Sequence, residues 1–253
     1  MSAALLATEA LTLAYGRFVA VRDVSLQLQP GRRYGVLGPN GAGKTSLLNL
    51  LTGTLRATSG SIRFEGADIT ALGADRRSHL GIGRSFQKTS VFAEFDVLDN
   101  VRLAVRSRRP RRTFDFWSPR SRDRDIDERA EAHVARVGLT AKSRVAASAL
   151  SYGELRQLEI ALALATEPRL LLLDEPTAGM SEEETHAVVD MLRASLPREL
   201  TLMIIEHDLK VIEGLTDHVF VFDQGALFEQ GSPAEIRASE RVQRIYFKGR
   251  KLA

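Results

Sequence analysis

The sequence predicts an α/β fold built on a largely parallel sheet, and three observations carry that reading. A short apolar run, Tyr34 to Leu37, leads into Gly38-Pro39-Asn40-Gly41-Ala42-Gly43-Lys44-Thr45, and Ser46 then opens a Leu-rich helical stretch. Strand, glycine loop and helix in that order form the context of a phosphate-binding P-loop. Downstream of residue 150, apolar strand-like runs alternate with helical patterns, as parallel βα units do. One of these runs, Leu170 to Leu173, delivers Asp174 and Glu175 to its end. The C-terminal edge of such a sheet is where α/β proteins place ligands.

Taken in order, Leu5 to Ala14 and Val19 to Leu28 alternate with period two and predict an antiparallel pair joined near Gly16-Arg17. Gln29-Pro30-Gly31 is a turn before the strand that feeds the glycine loop. The helix from Ser46 to Thr52 stops at Gly53. Ser61 to Phe64 is a short strand, and Gly81 to Gln87 reads as a strand running into a loop. Val97, Leu98, Val101 and Val105 have helical spacing, as does the segment from Asp127 to Val137, which Gly138 ends. Between them, 106–124 is polar and without period, and predicts an exposed loop or partly disordered insertion. The second half predicts, over Leu150 to Ala165, a turn entering a buried helix, and then a strand from Arg169 to Asp174. A helix from Glu182 to Leu196, a strand from Leu200 to Ile205 and a helix from Asp208 to Leu215 follow. Asp223-Gln224-Gly225 marks a hairpin, and Ser232 with Pro233 starts a last helix to Ala238.

Composition narrows the class. The 253 residues contain 44% hydrophobic and 26% charged side chains, the balance of an ordinary globular chain. Cysteine is absent, which removes disulfides and thiolate metal sites. Neither a signal-peptide pattern nor a membrane-length apolar run occurs, so a soluble protein is expected, acting on any membrane only through a partner. The net charge of +3 is concentrated: 106–124 holds eight arginines against Asp115 and Asp123. That local excess is unlike a nucleic-acid-binding face, which spreads its basic residues, and no nucleic-acid partner is expected.

The chemistry follows from residue types at these places. Glycines let consecutive N–H groups point at one anion. Lys44 places a charge on the β/γ-phosphates and the Thr45 hydroxyl is suited to Mg²⁺. Asp174 suits the same Mg²⁺ shell, and Glu175 suits a general base for an attacking water. In Leu150-Ser151-Tyr152-Gly153-Glu154, Ser151 and Glu154 form a capping box. Gly153 is unfavourable inside a first helical turn, by about 1 kcal/mol against alanine, but leaves a backbone N–H uncovered where a phosphate can approach.

The ordered set of the P-loop, Gln87, Leu150 to Glu154, Asp174-Glu175 and His207 resembles the ATPase subunit of ABC (ATP-binding cassette) transporters over essentially the whole chain. That resemblance implies a P-loop NTPase with a RecA-like parallel-sheet core, an N-terminal antiparallel β subdomain and a helical subdomain. The expected division of this single ATPase domain is 1–88 with 165–253 for the core and 89–164 for the helical part. It further implies ATP and Mg²⁺ as ligands, with the loop from Gly38 through Ser46 as the phosphate cradle. Tyr15 resembles the aromatic that stacks on adenine, although an ordinary strand aromatic reads the same way. Gln87 resembles the loop glutamine that touches Mg²⁺ and water and faces the membrane subunit. Ser151, Gly153 and Glu154 resemble the signature that reads the γ-phosphate held by an opposing subunit. Glu175 resembles the base and His207 the switch histidine, with Lys44 and Gln87 completing the catalytic group.

Departures are visible: Tyr152-Gly153 stands where the family has two glycines, Glu154 where it has Gln, and Ser181 where many members have Asp. Gly81 to Gln87, Leu150 to Glu154 with Leu158-Glu159-Ile160, Ala178-Gly179-Met180 and Ile205 to Asp208 are similar to the high-affinity branched-chain amino-acid importers, as is the tail from Val242 to Arg250, although Tyr246-Phe247-Lys248-Gly249 departs from that group's usual Tyr-Leu-Gly. Partners implied are a second ATPase subunit, identical or paralogous, two membrane permeases and, indirectly, a solute-binding protein, at the cytoplasmic face of the inner membrane. Urea, amide or aromatic-acid uptake, lipopolysaccharide export and a soluble ABC ATPase of DNA maintenance or translation are the alternatives.

Overall fold

The computed structural model describes residues 3–84, 91–107 and 120–246. In chain order these form β1 (Leu6–Tyr15), β2 (Phe18–Leu28), β3 (Arg33–Leu37), α1 (Lys44–Thr52), β4 (Ser59–Phe64), β5 (Ala67–Asp68), α2 (Ala74–Leu80) and β6 (Ile82–Arg84). Helices α3 (Val97–Ser107), α4 (Arg120–Arg136) and α5 (Tyr152–Ala165) follow. The remainder is β7 (Leu170–Asp174), α6 (Glu182–Ser195), β8 (Thr201–Ile205), α7 (Leu209–Leu215), β9 (His218–Asp223), β10 (Ala226–Gly231), α8 (Pro233–Ala238) and α9 (Glu240–Tyr246).

The chain divides into two compact units. The first comprises Met1–Arg84, Arg169–Pro176 and Pro197–Ala253; the second comprises Ser85–Pro168 and Thr177–Leu196. In the first, a six-stranded sheet has the order β10-β9-β3-β8-β7-β6. All its neighbouring strands run parallel except the β9–β10 hairpin. Every residue of β7 and β8 is buried, which is why their sequences are continuous apolar runs rather than alternating ones. A second, antiparallel sheet has the order β2-β1-β4-β5. Leu6, Leu11 and Leu28 from that sheet, Leu47, Leu48 and Leu51 from α1, and Phe220 and Phe222 from β9 share one apolar core. At about 25 cal/mol per Å² of apolar area, this burial is what holds the glycine loop's two flanking elements in place.

A buried arginine secures the far end of α1. Arg77 of α2 donates to the carbonyls of Leu50 and Leu51 at 2.6 and 2.9 Å, and to Leu72 and Thr70 at 2.9 and 3.0 Å. A cation placed on the last carbonyls of a helix satisfies groups that otherwise lack partners and complements the helix dipole.

The helical unit buries Val97, Leu98, Val101 and Val105 of α3 with Ile126, Ala130 and Val134 of α4 and Leu158, Ile160 and Ala161 of α5. Ser195 of α6 donates to the Arg136 carbonyl at 2.6 Å. Three features differ from the sequence reading. Helix α2 forms although its sequence has no apolar period, because its single buried side chain is a hydrogen-bonded arginine. Helix α4 begins at Arg120 rather than near Asp127, so the end of the arginine-rich stretch is helical. An i,i+4 pair, Arg124 to Glu128 at 3.0 Å, supports that extension. Finally, Thr177–Leu196 groups with the helical unit, where the sequence reading assigned it to the core. Residues 108–119 of the insertion and 247–253 of the tail lie outside the described residues.

Candidate nucleotide site

The glycine loop leaves β3 and turns into α1 with Gly43 at the N-cap in the left-handed region, φ 95°. No side chain caps the helix, and its first turn carries no acid. The N–H groups that begin a helix have no partner within it, so here they remain available to a ligand. A Cβ on Gly43 would run into the Ala20 carbonyl oxygen, and one on Gly38 into that of Phe222. The loop's path between β2 and β9 therefore admits only glycine at those two places.

The cavity above the loop measures about 240 Å³ and is lined by Asn40, Gly41, Ala42, Gly43, Lys44, Thr45 and Ser46 together with Phe18, Ala20 and Glu175. Lys44 is buried, and its Nζ donates to the carbonyls of Gly38 at 2.7 Å and Pro39 at 3.1 Å. Burial lowers the Lys44 pKa, while the nearby Glu175 and Asp174 carboxylates oppose the shift. The ammonium is thus held inside the loop it serves, facing negative charge.

Asp174 and Glu175 stand where β7 ends. Asp174 is buried, and its Oδ2 accepts from Arg84 of β6 at 3.2 Å. Its Oδ1 is buried with no hydrogen-bond partner. Burial raises the Asp174 pKa; the Arg84 guanidinium pulls it back and the Glu175 charge pushes it up again. Glu175 takes a left-handed backbone, φ 50°, and its N–H donates to the Ile205 carbonyl at 2.9 Å. Non-glycine residues there are uncommon and cluster at functional sites. The Glu175 carboxylate meets His207 Nε2 at 2.5 Å. The expected P-loop residues, Asp174, Glu175 and His207 are thus assembled within one compact unit.

Mg²⁺ is tested by the donor set. Among the described residues no group of three or more His, Asp or Glu side chains could hold a metal unaided. An unpartnered buried carboxylate oxygen on Asp174 and a hydroxyl on Thr45 are what Mg²⁺ needs when phosphates supply its other ligands. The residues fit the ion as a companion of a phosphate ligand.

Other expected residues fall elsewhere. Ser151 is the N-cap of α5 with the capping box formed: its N–H donates to Glu154 Oε2 at 2.9 Å, and Glu154 N–H donates to its Oγ at 3.4 Å. A Cβ on Gly153 would meet nothing within 4 Å, so the backbone there is open. The Tyr152 hydroxyl donates to the Ala178 carbonyl at 3.1 Å. Ser181, where many family members have Asp, caps α6 through a second capping box with Glu184. Gln87 lies outside the described residues. Tyr15 is exposed at the end of β1 and does not line the cavity, whereas Phe18, its antiparallel partner across the Gly16-Arg17 turn, does. The sequence signal for Phe18 was that pairing. Arg84 was missed as well, and a buried strand carboxylate in need of a cation was its signal.

The fold and this cavity define a P-loop ATPase. Residues 21–178 match the ABC transporter family, and this chain belongs to it, as an ATP-hydrolysing subunit. It is 36% identical over 252 residues to "High-affinity branched-chain amino acid transport ATP-binding protein LivG" of Salmonella typhimurium, covering 97% of this chain and 98% of that protein. It is also 36% identical over 242 residues to "Lipopolysaccharide export system ATP-binding protein LptB" of Acidithiobacillus ferridurans, covering 96% of each. A solved ATP-binding cassette of an ABC transporter, in its ADP conformation, superposes with a TM-score of 0.85 at 28% identity, over 98% of this chain and 100% of that one.

Proposed function

We propose that this chain powers an importer of branched-chain or closely related amino acids, and that Lys44, Thr45, Asp174, Glu175 and His207 are the working groups of its ATP site. The contact between Glu175 and His207 beside the glycine loop carries the assignment of the chemistry. In this reading the free N–H groups of the loop and the Lys44 ammonium hold the phosphates. Thr45 and Asp174 hold Mg²⁺ against them, and the ion, when bound, polarises phosphoryl oxygens. Glu175 accepts the proton of the attacking water, whose oxygen forms the new bond to the γ-phosphorus as ADP leaves. His207 keeps the Glu175 carboxylate oriented and faces the γ-phosphate. Gln87 is assigned to the water and metal shell, and Tyr15, exposed beside Phe18 rather than lining the cavity, to stacking on the adenine ring.

Ser151, Gly153 and Glu154 begin a helix whose open backbone suits the γ-phosphate of a second, facing ATPase subunit. ATP then closes two subunits on each other, and hydrolysis reopens them. The chain works as one ATPase domain whose helical unit meets the membrane partners. Those partners are two permeases, served by a solute-binding protein. Among the described residues no helix is long and apolar enough to cross a membrane; in this reading the chain sits at the cytoplasmic face through those partners.

Glu175→Gln is expected to retain ATP binding and to slow hydrolysis about 10²–10⁴-fold, leaving a trapped dimer visible by size exclusion. Turnover near the parent rate would remove Glu175 as the base. For the solute, a strain lacking this chain is expected to lose uptake of labelled leucine, isoleucine and valine. Intact uptake with a lipopolysaccharide defect instead would make the chain an export ATPase.

A further inference from the structure

Asp174 poses a problem that the ATP reading does not solve. Its side chain is completely buried, and a buried carboxylate is costly unless charge and hydrogen bonds compensate it. The Lys44 ammonium is nearby but is bonded to the Gly38 and Pro39 carbonyls. The compensating cation is Arg84, the last residue of β6, whose own side chain is only 11% exposed. Its guanidinium spans two elements: one nitrogen donates to Asp174 Oδ2 at 3.2 Å and the other to Asn49 Oδ1 of α1 at 2.5 Å. Strand β6 pairs with β7 in parallel register, Arg84 lying opposite Leu172. The guanidinium thereby ties the strand that carries the acid to the helix that begins at the phosphate loop.

The consequence concerns the two oxygens of one carboxylate. Oδ2 is engaged by Arg84, and Oδ1 is left buried and without a partner. We propose that Arg84 is a positioning residue for the divalent cation: by fixing Oδ2 and bracing against Asn49, it presents Oδ1 as a single, oriented ligand at a set distance from Lys44 and Thr45. Groups that orient a ligating carboxylate typically change metal affinity 10–100-fold when removed. The planar, two-pronged geometry is particular to arginine; lysine supplies the charge at one point only. The inference rests on Asp174 being the protein's carboxylate for Mg²⁺.

The test measures binding rather than turnover. ATP affinity is determined by titration calorimetry in EDTA and again across a Mg²⁺ series, giving the half-saturating Mg²⁺ concentration. Arg84→Gln is expected to bind metal-free ATP within about twofold of the parent and to raise the Mg²⁺ requirement about tenfold or more. Arg84→Lys is expected to fall between the two. An equal loss of ATP affinity with and without Mg²⁺, or an unchanged Mg²⁺ requirement in folded Arg84→Gln, overturns the proposal. Should Arg84→Gln fail to fold, Asn49→Ala decides. It keeps the ion pair but frees the other prong, and is expected to shift the Mg²⁺ requirement in the same direction by a smaller factor; no shift overturns the proposal. Asp174→Asn separates the two layers. If that variant keeps the parent's Mg²⁺ dependence, the assignment of Asp174 to the metal is what fails.

Discussion

Helices α1 and α5 both carry glycine in or beside their first turn, and they treat their N-termini in opposite ways. Helix α1 starts from Gly43 with no side-chain cap and no acid in its first turn. Helix α5 starts from Ser151 with both halves of a capping box in place and Glu154 in its first turn. An uncapped helix start leaves N–H groups unsatisfied; at α1 none is met by a side chain, whereas at α5 the box meets those of Ser151 and Glu154. The glycines differ in kind as well. Gly43 is required by its left-handed backbone and by the Ala20 carbonyl against it, while Gly153 has open space where a side chain would go. Need for glycine at α1 is thus internal to the fold, and at α5 it points outward, to something that approaches the backbone.

Substitution at the two glycines puts this contrast to the test. Gly43→Ala combines a left-handed alanine with overlap on backbone, and is expected to cost about 2–4 kcal/mol, read as a lower denaturation midpoint together with loss of ATP binding. Gly153→Ala is expected to do the reverse to stability, raising it by up to about 1 kcal/mol. It leaves ATP binding by the isolated subunit intact and lowers the ATPase rate of the assembled dimer. A destabilised Gly153→Ala, or one with full dimer activity, would erase the distinction between the two helix starts.

The smallest expected effect is a pH dependence at α5. The Ser151 N–H bonded to the Glu154 carboxylate, with Lys142 close by, holds the Glu154 pKa below its ordinary value. Its contribution to stability is therefore complete above the ordinary glutamate range and is lost as pH falls through the lowered, folded-state value. Glu154→Gln, which restores the family's usual residue, is expected to cost a few tenths of a kcal/mol at neutral pH and to remove that dependence. Amide exchange at the start of α5, followed from neutral to acid pH, checks both.

Local chemistry explains what was legible beforehand. Gly38 to Thr45 reads as a phosphate loop because conformational freedom and one lysine are properties of neighbouring residues. Ser151 and Glu154 read as a capping box because they stand three positions apart, with two residues between them. The strands at β7 and β8 read as buried because both faces are apolar. The arginine-rich stretch misled because its own residues show no apolar period, yet α4 begins inside it, with an Arg124–Glu128 pair near its start. Helix α2 was invisible for a related reason: its one buried side chain is Arg77, and the pattern of its residues gives no hint that backbone carbonyls await it.

The phosphate loop, the buried strands β7 and β8 and the helix caps were legible in the sequence, because each depends on residues within a few positions of one another. Only the tertiary structure decided the pairings across the site. Glu175 meets His207 because β7 and β8 run parallel with Asp174 opposite Ile205, so the next residues along both strands emerge together at one edge. Arg84 meets Asp174 across 90 positions of sequence because β6 lies beside β7. Strand order and register create those contacts, and they arise from burial of the whole sheet rather than from any local run of residues.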